Sequence, residues 1–197
     1  MATMDDLIAT LTRTLAARLR YVVDAPDKTP AAVLVPLLAV DGTPHLLFTR
    51  RTNHLPHHSG QVAFPGGRVH PQDDADLTRT ALRESHEEIG LAPADVRLLG
   101  TLDDIETVSS RFVITPVVGV VPYPYTWQAS PDEVDAIFTV PVDVLSHPDT
   151  RRHEVWDFDG RQVPIETYRV AGQVIWGSTQ RITRNLLAML DTTEAAC

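Results

Sequence analysis

Leu7, Leu11, Leu15 and Leu19 recur at steps of four with polar residues between them, a spacing that predicts an amphipathic helix over residues 4–19. A polar linker follows over residues 24–30. Residues 31–40 are then almost continuously apolar, and Asp41-Gly42-Thr43-Pro44 turns the chain into a second strand over residues 45–51. The pair predicts a hairpin. A loop rich in His, Pro and Gly runs on to Gly67. Beyond it Leu77, Ala81, Leu82 and Ile89 fall at helical spacing within residues 76–89, and Gly90 supplies a C-terminal stop because glycine takes the left-handed conformation at little cost. Further strands are predicted at residues 96–102, 112–121 and 134–140, the last alternating Val134, Ala136, Phe138 and Val140 with Asp135, Ile137 and Thr139. Ser178 or Thr179 can cap a final helix whose Ile182, Leu186, Leu187 and Leu190 form one apolar stripe.

Composition narrows the function more than the fold. A chain of 197 residues with 43% hydrophobic content can build one sizeable core. The expected division is a helix and linker over residues 1–30, a catalytic-sized domain over 31–190 and a tail over 191–197. Lys plus Arg number 17 against 26 Asp plus Glu, giving a net charge of -9. That balance argues against non-specific binding to nucleic acid or to an anionic membrane surface. An acidic protein that acts on an anionic small molecule needs a cation to mediate. The one cysteine, Cys197, permits no internal disulfide and is a poor candidate for a catalytic thiol. Arg13, Arg18 and Arg20 give the N-terminal helix a faint likeness to a transit peptide, which Asp5 and Asp6 oppose, and no apolar run reaches transmembrane length. A cytoplasmic location is expected, and a homodimer is allowed.

The sharpest chemical feature is Arg83-Glu84-Ser85-His86-Glu87-Glu88-Ile89-Gly90-Leu91. On a helix Glu84, Glu87 and Glu88 share one face, where like charges repel. A solvated charged face is the plain reading. A hard cation with oxygen ligands, Mg2+ or Mn2+, is the chemical one. Arg83 lies four residues before Glu87 and is placed to orient it. Upstream, Phe64-Pro65-Gly66-Gly67 offers the close backbone approach that a turn beside a phosphate requires.

The order glycine turn, loop, helix and Arg-Glu-x-x-Glu-Glu-x-Gly-Leu closely resembles the box of the Nudix hydrolases, whose glutamates hold divalent metal against a diphosphate. The resemblance implies an α/β/α sandwich with a mixed central sheet. It also implies metal ligands at Glu84, Glu87 and Glu88, with Glu84, Glu87 and Arg83 as the catalytic set. Two departures stand out. The interval from Gly67 to Arg83 is longer by two than in the family pattern, so counting back from Arg83 for the usual box acid reaches Ala75, whereas counting forward from Gly67 reaches Asp73. Asp73, Asp74 or Asp76 is left to take that place. Ser85 stands where an apolar residue is usual.

Residues 46–67 further resemble the signature of coenzyme A pyrophosphatases, matching at Thr49, Arg51, Leu55, His58, Gly60, Gln61 and the Phe64 to Gly67 turn. Pro56 and Thr52 depart from it. What this implies is hydrolysis of coenzyme A, or a derivative, to adenosine 3',5'-bisphosphate and 4'-phosphopantetheine. Arg50, Arg51, His58, Gly66 and Gly67 are the substrate-binding candidates. Guanidinium groups match phosphate through their planar fork, although Arg50 and Arg51 alternate along a strand, so one of them should face away. His54, His57 and His58 could suggest zinc, but Pro56 between them breaks the helix that this spacing would need. The general base is left open among Glu84, Glu87, Glu133 and Glu106. The alternatives are a Nudix hydrolase for another nucleoside diphosphate such as ADP-ribose, or a non-catalytic nucleotide-sensing module, for which three clustered carboxylates have little use.

Overall fold

The structure, a computed structural model, describes residues 3–53, 59–107 and 111–191. It opens with α1 (Met4–Ala17), whose first turn is closed by a capping box in which Thr3 and Asp6 satisfy each other's main-chain N–H. The helix ends earlier than leucine spacing predicts. Arg18 Nη1 reaches Asp103 at 2.6 Å, the chain leaves helical geometry, and Leu19 stands 98% exposed. The leucine stripe therefore ends at Leu15.

β1 (Thr29–Val40) and β2 (Thr43–Arg51) form the expected hairpin, paired from Leu37↔Leu46 to Val40↔Thr43 across Asp41-Gly42, both at positive φ. β1 begins inside the stretch read as linker. The chain continues through β3 (Val62–Ala63), β4 (Gly66–Arg68) and α2 (Leu77–Ile89), then β5 (Arg97–Thr101), β6 (Ile105–Glu106), β7 (Phe112–Val120) and β8 (Val134–Pro141). In the main sheet the order is β3-β2-β1-β7-β5, with β4 on β1, β6 on β7 and β8 on β2. β1 and β7 run parallel from Thr29↔Phe112 to Leu37↔Val120, and the other pairs are antiparallel. This mixed sheet explains the near-continuous apolar runs of β1 and β7, which are buried on both faces.

Alternation sorts the core into two layers. Leu34 and Leu38 of β1, Leu47 of β2 and Val117 of β7 face Ala81 and Ile89 of α2. Val35, Leu37, Leu46, Phe48 and Val118 face the other way, onto Leu7 and Leu11 of α1 and onto Ile182 and Leu186 of the last helix, α4 (Gly177–Asp191). The result is the α/β/α sandwich. Each fully buried Leu or Ile contributes about 1.5–3 kcal/mol, so both helical layers are held firmly to the sheet.

Between β8 and α4 lie a short α3 (Val142–Ser146) and a separate antiparallel sheet of β9 (Arg151–Phe158), β10 (Arg161–Val170) and β11 (Gln173–Ile175). Hydropathy gives little sign of them, because β9 is mostly solvent-facing and carries Arg151, Arg152, His153, Glu154 and Asp157. The capping expectation for α4 also changes. Thr179 lies within the helix, and its hydroxyl donates to the Val62 carbonyl at 3.1 Å, fastening α4 to β3. No helix among the described residues is long and apolar enough to cross a membrane.

Candidate active site

α2 is built as a rigid platform. The Asp76 carboxylate caps it by accepting from the N–H of Thr78 at 2.9 Å and of Arg79 at 3.3 Å. Ser85 is fully buried and donates its hydroxyl to the Ala81 carbonyl at 2.7 Å, so the polar side chain is satisfied within its own helix. Gly90 ends the helix at φ +71, donating its N–H to the His86 carbonyl.

The two extra residues of the box are absorbed ahead of this cap. Pro71–Asp73 makes a single tight turn, and Asp74 and Ala75 follow in the left-handed conformation at φ 52 and 60. Asp73 is thereby turned inward. It is buried and accepts from His70 N–H at 2.8 Å, Thr80 Oγ1 at 2.9 Å, and Arg83 Nε and Nη2 at 2.9 and 3.0 Å. Asp74 instead pairs with Arg79 at the surface. Of the three aspartates that sequence left open, Asp73 is the one that clasps Arg83, while Asp76 caps the helix. The Arg83 guanidinium holds its carboxyl well below the usual carboxylate range.

Arg83 spans the site. Its Nη1 donates to Glu84 Oε1 at 2.9 Å and Glu87 Oε2 at 3.1 Å, and Nη2 donates also to the Arg68 carbonyl at 3.2 Å. Glu88 is handled differently. It is 4% exposed, receives the Gly66 N–H at 3.3 Å, and has Arg51 Nη1 at 3.9 Å as its ion-pair partner among the described residues. Burial pushes its carboxyl up to about 8, with the negative charges of Glu133 and Glu84 adding to the effect and Arg51 opposing it. Burial also raises Glu84, which the Arg83 contact partly offsets.

The glycine turn is a steric requirement. A Cβ on Gly67 would sit 2.5 Å from the Glu84 carboxyl carbon, and one on Gly66, at φ +157, would sit 2.4 Å from the Ala32 carbonyl oxygen. Pairing of β4 with Ala31 to Val33 of β1 fixes this turn against α2. Thr49 and Arg51 in β2 are bonded to the chain on the far side of the loop, through the Ala63 and Gln61 carbonyls. Thr52 ties down the loop before β8 by donating its hydroxyl to Asp132 O and its N–H to Glu133 O.

The sequence candidates therefore divide. Glu84, Glu87, Glu88, Arg83, Gly66, Gly67 and Arg51 come together. Arg50 does not; it faces the other way and is held by Asp135, with Nε at 2.7 Å from the carboxylate. His54, His57 and His58, with Leu55 and Pro56, lie outside the described residues. Glu106 is paired with Lys28 on β6. Glu133 lies close enough to Glu84 and Glu88 for its charge to act on both. Sequence spacing treats the three glutamates alike and misses the burial of Glu88. A signal was present, since Ala81, Ser85, Glu88 and Ile89 lie on one packed stripe.

Among the described residues, no three carboxylate, imidazole or thiol side chains are gathered closely enough to hold a metal ion. Arg83 Nη1 is hydrogen-bonded to both Glu84 and Glu87. The donor set nevertheless suits a hard cation. All three donors are carboxylates, one is buried with its Arg51 ion-pair partner 3.9 Å away, and Glu87 has a side chain that is 54% exposed.

The NUDIX domain model matches residues 28–161. The Nudix hydrolase NudL of an Enterobacter species, strain 638, is 38% identical over 194 residues, covering 93% of each chain. NudL of Salmonella paratyphi B is 38% identical over 167 residues, 79% of this chain and 80% of the relative. Among solved structures, a NUDIX hydrolase from Alicyclobacillus acidocaldarius aligns with TM-score 0.54 at 20% identity, covering 84% of this chain and 93% of that one. A MutT/nudix family protein from Enterococcus faecalis aligns with TM-score 0.53 at 15% identity, over 97% of this chain and 76% of that one. These two show the fold. The domain match contains the glycine turn and the glutamate helix, and the relative matches nearly end to end, so this protein belongs to the Nudix hydrolase family.

Proposed function

We propose that this Nudix pyrophosphohydrolase cleaves the diphosphate of coenzyme A or a close derivative, giving adenosine 3',5'-bisphosphate and 4'-phosphopantetheine. The observation that carries the reading is the segment from Thr49 to Gly67. It resembles the coenzyme A pyrophosphatase signature, and its described parts border the glutamate helix, with Arg51 3.9 Å from Glu88.

In the proposed reaction a water oxygen bonds to one phosphorus, the bridging oxygen leaves with the other phosphate, and a base removes a water proton. Glu84, Glu87 and Glu88 are the residues that would hold Mg2+ or Mn2+, which when bound neutralises diphosphate charge and acidifies water. Arg51 supports binding as a fixed positive charge at the mouth of an acidic site. Arg83 positions Glu84 and Glu87 while Asp73 holds Arg83. Gly66 and Gly67 let the turn pack directly against β1 and the Glu84 carboxylate, which keeps the glutamates in register with the turn. Glu133 is favoured over Glu106 as the base, because its charge reaches Glu84 and Glu88 whereas Glu106 is engaged by Lys28.

The test compares kcat/KM for coenzyme A, acyl-coenzyme A and ADP-ribose with Mg2+ or Mn2+. A higher value for coenzyme A is expected, and excess chelator should abolish turnover. Preference for ADP-ribose would assign the protein to another nucleoside diphosphate substrate, and full activity in chelator would overturn the role of the glutamates.

A further inference from the structure

A cavity of about 960 Å3 opens where α3, β9, β10 and α4 meet, with Asp103 and Ile105 on a further side. Its volume falls in the range of small-molecule sites. Neither the glutamates of α2, nor the glycine turn, nor Arg51 lines it. Part of the lining is apolar, including Leu145, Tyr168 and Leu187, and part is cationic: Arg151, Arg181 and Arg184.

In a protein of net charge -9, three guanidinium groups around one cavity need a reason. Arg151 and Arg184 both pair with Glu166, Arg184 Nη1 at 3.0 Å, so one carboxylate serves two cations. Asp103 is already engaged by Arg18 at 2.6 Å and by Asn185 at 3.3 Å. Among the described residues Arg181 donates to the Glu106 main-chain carbonyl, at 2.8 Å, and has no carboxylate partner. The cavity thus keeps an excess of positive charge. Glu166 fixes the orientation of two of the guanidinium groups before any ligand arrives, which reduces the ordering cost of binding.

We infer that this cavity is a second anion site, apart from the glutamate helix, that binds a phosphate group carried by a small organic molecule. Arginine forks suit the phosphate oxygens, and the apolar lining suits the organic part. The phosphate has two sources to distinguish: the extra ribose phosphate of the proposed substrate, or a separate small metabolite. Only the second arm of the test rests on the proposed reaction.

In the first arm, inorganic phosphate is titrated into metal-free full-length protein at constant ionic strength, with binding read by calorimetry. Saturable binding is expected. Arg181→Gln should weaken it about tenfold or more, the loss of one charge-assisted contact, and Arg181→Lys should restore part of it. Arg51→Gln should leave phosphate binding in place. Unchanged melting of Arg181→Gln without phosphate separates loss of the site from loss of the fold. No saturable binding to wild type, or equal binding to Arg181→Gln, would overturn the proposal.

The second arm measures kcat/KM for coenzyme A and 3'-dephospho-coenzyme A. If the cavity takes the substrate's own phosphate, Arg181→Gln lowers the value for coenzyme A alone. If it takes a separate metabolite, both values hold while phosphate binding is still lost. Inactivity of the wild type toward both substrates would sink the coenzyme A reading and leave the phosphate titration to decide the cavity.

Discussion

Asp73 and Glu88 are both carboxylates buried beside α2, and their environments drive them in opposite directions. Asp73 meets a bidentate guanidinium, a hydroxyl and a main-chain N–H, so its negative charge is fully answered and its carboxyl is held well below the ordinary range. Glu88 meets one N–H at 3.3 Å and a guanidinium 3.9 Å away, with Glu84 and Glu133 repelling it, and its carboxyl rises to about 8. Burial alone is not what separates them; the number and distance of partners is. The answered charge holds a positioning residue still. The unanswered one leaves coordination capacity for something the chain itself does not supply, which is how carboxylates behave at reactive sites.

Four expected outcomes would break or sharpen this contrast. The largest is for Asp73→Ala, which strands the buried side of Arg83 and should cost about 3 kcal/mol or more of stability, read by urea denaturation. A loss near that of a surface aspartate would show that Arg83 needs no such partner. Next, Glu87→Gln and Glu88→Gln should each lower kcat by about two to three orders of magnitude at saturating Mg2+, while melting curves show an intact fold. Near wild-type turnover in both would reduce the acidic face to a solvated one.

The third outcome concerns pH in metal-free protein. Glu88 has an ordinary value of 4.5 and a folded value of about 8, so between them the folded protein holds a proton that the unfolded chain has released. Stability contributed in this way falls as pH rises through that window. Asp73 has the opposite sign: its contribution is present above its ordinary 3.8 and is lost only as pH drops below it. Urea midpoints in chelator at about pH 5 and about pH 8.5 should therefore fall for wild type and stay nearly level for Glu88→Gln. A wild-type midpoint that does not fall would place Glu88 among the answered charges.

The smallest effect is expected for Asp76→Ala. Its carboxylate accepts two main-chain N–H groups at an exposed helix start, so the loss should be about 1 kcal/mol with turnover little changed. A loss as large as that of Asp73→Ala would mean that the cap, and not the Arg83 clamp, sets the platform.

Much of this protein was determined along the chain. The β1–β2 hairpin, the α2 boundaries at Asp76 and Gly90, and the shared face of Glu84, Glu87 and Glu88 are local consequences of turn chemistry, capping and helical period. The glycine turn is equally local in its residues, though only packing shows that Gly67 is required by the approach of Glu84. Three other features were decided by tertiary structure. Which aspartate clasps Arg83 depends on two consecutive residues at positive φ, Asp74 and Ala75, and an alanine does not announce that conformation. Which of Arg50 and Arg51 faces the glutamates follows from strand parity relative to α2, and parity becomes a direction only when the sheet is covered. The β9–β11 sheet and its arginine cavity arise from solvent-facing strands, whose weak hydropathy signal gains meaning only when β9, β10 and α4 bring Arg151 and Arg184 onto the Glu166 carboxylate with Arg181 beside them on the same cavity.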